Sequence, residues 1–328
     1  VNIQQIYHYL SQEMTLIDEA LAQTLGRCTH PLIATINEFV LDSKSKKLRP
    51  ILVLLSYRVA GGNVADLHVD HNVIKVAVSM ELMHRASLVH DDVIDHAQYR
   101  HDRLSIQAKW SPETAVAFGN FVYSEAFHLS SLIQCPEVVR YITLSTREMC
   151  EGELIQICER GNFDFKRDDY IEMIRLKTAS LFAASCGMGS VTAGVSQDLV
   201  QFLYDFGMAL GIAFQMIDDT MDIMAPMKSL GKNPGADVAS GEMTLPLIHL
   251  MNETADKEGL KALILASKDL DKFVELRERF AASKAITQAF KDIETYIALA
   301  QEKLNKVPET EERKVLEQLM AFLKERLL

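Results

Sequence analysis

Residues 73–95 read VIKVAVSMELMHRASLVHDDVID, and this stretch decides the fold class. Its apolar residues recur at helical spacing, with Ile74, Ala77, Val78 and Leu82, then Leu88 and Val89, on one stripe. A second stripe of Val73, Val76, Met80 and Met83 covers much of the other side, so the helix is expected to be largely buried. It ends in three carboxylates, Asp91, Asp92 and Asp95, at the spacing DDxxD. At about 100° per residue, positions i, i+1 and i+4 share one side of a helix, and the last is a surface neighbour of both earlier ones.

The pattern returns 127 positions later (218 minus 91) in Phe214-Gln-Met-Ile-Asp-Asp-Thr-Met-Asp222, with Asp218, Asp219 and Asp222. Two like charges ~6 Å apart repel by roughly 3 kcal/mol at an effective dielectric near 20. Three such pairs cost on the order of 8 kcal/mol before salt screening, comparable to a domain's whole stability. Solvation, protonation or bound cations must relieve that repulsion. A solvated helix face normally alternates Lys and Glu, whereas the flanks here are LV, VI, MI and TM, which suit a cleft wall. Carboxylates without Cys or an obligatory His select hard cations, and Mg²⁺ prefers to share its shell with water and phosphate. Two facing clusters would hold several Mg²⁺ ions around a diphosphate and neutralise a leaving group. Neither motif continues with the Gly and distal Glu of an EF-hand.

The remainder of the chain is consistent with helices. Of 328 residues, 48% are hydrophobic and the formal net charge is −11, which excludes a disordered chain and argues against nucleic acid as main partner. No proline falls between Pro136 and Pro226. Breaks are expected near Gly61-Gly62, Ser111-Pro112, Gly161-Asn162, Gly194 and from Pro226 to Pro246. The uncharged run from Thr178 to Gln197 is the most membrane-like, but its Ala, Ser, Gly and Thr content predicts a closely packed core helix. Cys28, Cys135, Cys150, Cys158 and Cys186 form no CxxC pair and read as buried thiols of a reducing cytoplasm. The first residues carry no signal-peptide pattern. The expectation is one all-α domain over residues 1–328, soluble and cytoplasmic.

With these motifs in place, the sequence resembles the trans-isoprenyl diphosphate synthases, or polyprenyl synthetases, over nearly its whole length. The two acidic motifs match, and so do Lys46-Lys-Leu-Arg-Pro50, His84, Gly152-Glu-Leu-Ile-Gln156, Lys177-Thr-Ala179, Gln215, Gly231-Lys-Asn-Pro-Gly-Ala-Asp237 and Thr244-Leu-Pro246. The wording around the first motif is most similar to catalytic subunits of medium- and long-chain synthases. The resemblance implies a large helical bundle with a central cavity, a dimer (homodimer or heterodimer), and head-to-tail joining of an allylic diphosphate to isopentenyl diphosphate. It further implies Mg²⁺ held by Asp91, Asp92, Asp95, Asp218, Asp219 and Asp222, and diphosphate binding by Lys177, Lys232 and Arg100. Thr178 and Gln215 would line the cation site, and Lys46, Arg49 and His84, with His101, the isopentenyl diphosphate pocket. Positions four and five before the first motif set product length in the family, and here they are the small Ser87 and Ala86, which implies a product longer than farnesyl.

Several positions depart from the family pattern. Lys44-Ser45 replaces a Gly pair, His101 the second arginine after the first motif, Asp102 the following glycine, Asn120 a frequent aspartate and Glu242 a second lysine. Neutral imidazole lacks the always-charged fork of arginine, so His101→Arg is expected to lower the Michaelis constant for isopentenyl diphosphate. An unchanged or higher constant in steady-state kinetics refutes that account. On the residues themselves, a lone His84 on a helix is ordinarily a core or surface histidine, and Lys46 in SKSKK an ordinary solvated loop residue. Other readings are a class I terpene cyclase, an HD-type phosphohydrolase using His90-Asp91 with His68, His71 and His84, and a subunit inactive without a heteromeric partner.

Overall fold

The computed structural model describes residues 3–28, 30–42, 45–100, 103–224, 238 and 240–325. The chain opens with α1 (Ile3–Tyr9), α2 (Ser11–Leu25), α3 (Pro31–Leu41), α4 (Leu48–Val59) and α5 (Asn72–Ile94). A two-residue antiparallel ladder follows, β1 (Tyr99–Arg100) with β2 (Arg103–Leu104). Next come α6 (Ile106–Lys109), α7 (Pro112–Ser131), α8 (Pro136–Glu159), α9 (Arg167–Ile174), a π-turn (Arg175–Ala179), α10 (Ser180–Thr192) and α11 (Gln197–Met224). The last third holds α12 (Leu245–Glu253), α13 (Lys257–Ala266), α14 (Leu270–Ala281), α15 (Ala285–Leu304) and α16 (Glu311–Glu325). The expected all-α architecture is borne out. The β1–β2 ladder is the one strand pair among the described residues, too short to carry the alternation that marks a strand in sequence.

The helix ends lie where the punctuation residues put them. Pro31, Pro112, Pro136 and Pro246 stand in first turns, where a missing N–H costs nothing. Ser111 caps α7 by accepting from the Thr114 amide at 3.1 Å.

The packed centre is α10, whose residues Ser180–Ser190 are all buried. It lies against α4, α5, α8 and α11. Small side chains make this possible: a Cβ on Gly189 would stand 2.2 Å from the carbonyl oxygen of Val53, so the backbones of α10 and α4 touch there. Among the described residues the helix long and apolar enough to cross a membrane is α11 rather than the run from Thr178 to Gln197, and 61% of its apolar window is buried inside the bundle. Its hydrophobicity comes from Leu203, Phe206, Leu210 and Ile217, which the core encloses.

Helix α9 is anchored from across the bundle. Arg167, its first residue, donates through Nη2 and Nε to the two carboxylate oxygens of Asp292 on α15 at 2.8 and 3.1 Å, and His249 of α12 reaches Asp292 at 2.8 Å. Burial alone would raise the Asp292 carboxyl, but His249 and Arg167 outweigh it and hold it down to about 2. A folded-state value below the unfolded one stabilises above about pH 4, and that stabilisation is lost as pH falls toward 2. Asp292→Asn is therefore expected to cost about 2 kcal/mol at pH 7, with the deficit shrinking below pH 4. Denaturant melts at pH 7 and pH 3 measure it, and equal deficits at both would refute the ion-pair account.

Candidate active site

The first acidic triplet occupies the last turn of α5 and its cap. Asp91 is half-buried, Asp92 buried and Asp95 exposed. Carboxylates there face the negative end of the helix dipole, which adds to their mutual repulsion. Asp92 is held by the protein: Arg100 donates to its Oδ1 from Nε at 2.9 Å and Nη2 at 2.5 Å. Gln107 donates to the backbone carbonyls of Asp92 and, at 2.9 Å, Ala97, fixing the turn that brings β1 back to the helix end. Burial pushes the Asp91 carboxyl up to about 7, with Lys177 and Arg100 pulling against it and Glu153 and Asp95 adding to it. Asp95 is joined by Arg160 at the end of α8.

The second triplet lies in the final turns of α11, with Asp218 exposed, Asp219 buried and Asp222 half-buried. Both oxygens of Asp219 are engaged: Tyr170 of α9 donates to Oδ2 at 2.6 Å and Gln215 Nε2 to Oδ1 at 2.7 Å. Gln215 in turn accepts from the Thr178 hydroxyl at 2.8 Å. The result is a directed chain, Thr178 to Gln215 to Asp219, braced by Tyr170.

The two clusters converge on the π-turn, where the Ser180 amide reaches back to the Arg175 carbonyl. Such wide turns are rare and recur at functional sites. Lys177 within it pairs with Glu153 of α8 and lies in the field of Asp91, while its neighbour Thr178 starts the chain to Asp219. Gly152 makes room: a Cβ there would meet the Lys177 backbone nitrogen at 2.4 Å.

A cation stands nearby in the first turn of α4. The Arg49 guanidinium lies 5.0 Å over the Phe182 ring, which itself packs 5.1 Å from Phe214. Burial lowers its pKa to about 10, opposed by the charges of Glu81 and Asp91. Its Nε is shielded from solvent and has no hydrogen-bond partner among the described residues. Lys46 is exposed, its carbonyl accepting from the Tyr7 hydroxyl at 2.6 Å. His84 is half-buried and its carbonyl accepts from Ser87 Oγ at 2.9 Å. Ala86 is enclosed and Ser87 half-buried. Lys232 and His101, with Lys44 and Asp102, lie outside the described residues.

The histidine constellation of a phosphohydrolase does not assemble. His71 caps the far end of α5, beside His68, and twenty residues of helix put about 30 Å between it and Asp91. His90 packs on α7 beside the Tyr123 ring and reaches the Val116 carbonyl at 3.2 Å.

With this geometry in hand, comparison with known proteins is decisive. The family model described as Polyprenyl synthetase matches residues 30–279. The chain belongs to the polyprenyl synthetase family. It is 32% identical over 321 residues to heptaprenyl diphosphate synthase component 2 of Bacillus subtilis, covering 98% of this chain and 90% of that protein. A polyprenyl synthase from Caulobacter crescentus, solved with calcium and isoprenyl diphosphate, superposes with a TM-score of 0.90 at 28% identity, covering 98% of this chain and 97% of that one. A decaprenyl diphosphate synthase from Rhodobacter capsulatus gives 0.91 at 25% identity, with 100% of both chains covered. Like its family, this chain is a trans-prenyltransferase that elongates prenyl diphosphates, and the family binds diphosphate through a divalent metal.

The donor set fits such a metal. Among the described residues no three His, Cys, Asp or Glu side chains are drawn together around one point. Mg²⁺ asks for no such cage: it is held by one or two carboxylates, with water and substrate phosphate completing its shell. Three residues absent from the sequence expectations belong to this region: Glu153, Arg160 and Tyr170. Glu153 adjoins Gly152 in a motif already singled out, and Tyr170 is the lone aromatic in the charged run KRDDYIE.

Proposed function

We propose that this chain, as one domain over residues 1–328, condenses an allylic prenyl diphosphate with isopentenyl diphosphate in the cytoplasm, giving an all-trans product longer than farnesyl diphosphate. The observation that carries the reading is that one π-turn serves both triplets, Lys177 lying in the field of Asp91 and Thr178 bonding through Gln215 to Asp219. Asp91, Asp95, Asp218 and Asp222 would hold the Mg²⁺ ions, because Asp92 and Asp219 are buried against Arg100, and against Tyr170 and Gln215. Bound there, Mg²⁺ supplies Lewis-acid neutralisation of the leaving diphosphate.

The chain's own groups do the rest. Lys177 and Lys232 hold the departing diphosphate, and Arg100 braces Asp92 beside it. Thr178 donates its hydroxyl hydrogen bond to Gln215 Oε1, so its oxygen lone pairs are left to face positive charge developing on the allylic carbon. Fixed dipoles of this kind stabilise a cation without capturing it. Arg49, half-buried and with a shielded spare donor at Nε, binds the diphosphate of isopentenyl diphosphate with Lys46, His84 and His101. The homoallylic double bond then attacks and a proton is lost. Ala86 and Ser87 leave the chain channel open beneath the first motif. Ala86→Phe is expected to shift products toward shorter chains by mass spectrometry, and an unaltered spectrum counts against this assignment.

The chain is read as a dimer. Exposed Leu132, and Val139, Leu154 and Ile157 along α8, supply apolar surface for a second subunit. A heteromeric partner is the second reading, supported by the name component 2 of the Bacillus subtilis relative. Incubating the purified chain with Mg²⁺, farnesyl diphosphate and labelled isopentenyl diphosphate tests both. Elongated diphosphate supports the first reading, and silence rescued by an added subunit supports the second. A cyclic hydrocarbon overturns both.

A further inference from the structure

Arg160 leaves the end of α8 and clasps two acids far away in sequence. Its Nη2 contacts Asp95 Oδ1 on the first triplet and lies 3.2 Å from Glu242 Oε1. The same junction is tied through backbone, where the Gly161 amide donates to the Gly241 carbonyl at 2.9 Å. Both glycines have positive φ, 75° and 87°, a conformation other residues rarely adopt. Three segments that each border the site therefore meet at one guanidinium: the end of α5, the exit of α8, and the strap leading into α12. Glu242 also acts electrostatically on Lys177. Arg160 Nε is shielded from solvent and has no hydrogen-bond partner among the described residues.

We propose that Arg160 is a positioning residue of the diphosphate site. It fixes Asp95 by one carboxylate oxygen, leaving the other for a cation, and it cancels the charge of Glu242. Without Arg160, Asp95 and Glu242 would lose the cation they share, and the net negative charge that an incoming diphosphate meets beside Lys177 would rise by one. The glutamate at 242, where many family members have lysine, is tolerated because Arg160 neutralises it from the opposite strand of the junction. This inference rests on the proposed diphosphate site.

The test is calorimetric titration of the full chain with inorganic pyrophosphate in saturating Mg²⁺, a readout that needs no turnover. Arg160→Gln is expected to weaken pyrophosphate binding about tenfold, as loss of one partner of a charge pair leaves the others exposed. Adding Glu242→Gln to that variant should restore affinity to within about threefold of the unaltered protein. Arg160→Lys, which keeps the charge and guards against a folding defect, should bind nearly as well as the unaltered chain. A merely structural clasp would lower the melting temperature of Arg160→Gln and leave pyrophosphate affinity unmoved in all three variants. Unchanged binding by Arg160→Gln, or a double variant no better than Arg160→Gln, overturns the proposal while leaving the site intact. Failure of the unaltered protein to bind pyrophosphate overturns the diphosphate site itself, and this inference with it.

Discussion

Gly152→Ala is expected to lower kcat/KM at least a hundredfold while leaving the helical content of the protein unchanged. The added methyl would stand 2.4 Å from the Lys177 amide nitrogen and 2.8 Å from its Cα. Both are backbone atoms within a wide helical turn, so no flexible side chain can swing away. Either α8 or the π-turn must shift by about 1 Å, and displacements of that size cost on the order of 10² in rate when they move a group that grips the substrate. Overpacking typically costs about 1–3 kcal/mol, which a bundle of this size survives. Kinetics with farnesyl and isopentenyl diphosphates, set beside a far-UV circular dichroism melt, separates the two effects. Near-normal kcat/KM in a folded variant would mean that the contact between α8 and the turn does not set the position of Lys177.

What the sequence made legible here, and what it did not, follows from the range of the interactions involved. The helix of residues 72–94 and its terminal acids are local features: two apolar stripes fix the burial and the i, i+1, i+4 spacing fixes the clustering. The identical spacing of the two triplets cannot say which carboxylates are held by other side chains and which are not. That division depends on Arg100 folding back through a two-residue ladder and on Tyr170, 49 positions before its partner Asp219. Arg160 is equally illegible, since its partners lie 65 and 82 positions away. The π-turn has no sequence signature at all. It lies between α9, pinned at Arg167 by Asp292 on a distant helix, and α10, packed against α4, contacts that no local window of sequence contains. Apolar content misled in one place, because α11 exceeds the 178–197 run in membrane-like character while serving as a core helix.

The division within the triplets implies that the site is held at a cost to stability, and Asp91 carries that cost most plainly. Asp91→Asn is expected to abolish turnover, by at least about a thousandfold as charge stabilisation at the leaving group is lost, and at the same time to make the free protein more stable. The carboxyl of Asp91 titrates at about 7 in the folded chain, raised chiefly by burial, against about 3.8 for the ordinary group. A folded value above the unfolded one means that ionisation works against folding. The penalty grows as pH rises from about 4 to about 7 and is complete above that. Allowing for its partial exposure to solvent, it amounts to on the order of 2 kcal/mol at pH 8. Asparagine has the same shape and no charge, so the variant should melt about 3 °C higher at pH 8 and show little gain at pH 4. Added Mg²⁺ should raise the melting temperature of the unaltered protein at pH 8 by more than that of the variant, because one of the carboxylates whose repulsion the cation relieves is gone. Thermal melts at the two pH values, with and without Mg²⁺, and labelled isopentenyl diphosphate incorporation provide the measurements. A variant less stable than the unaltered chain at pH 8 would sink the burial argument, and one that still turned over would remove Asp91 from the diphosphate site. Loss of activity together with a pH-dependent gain in stability is the combination that a merely structural aspartate cannot produce.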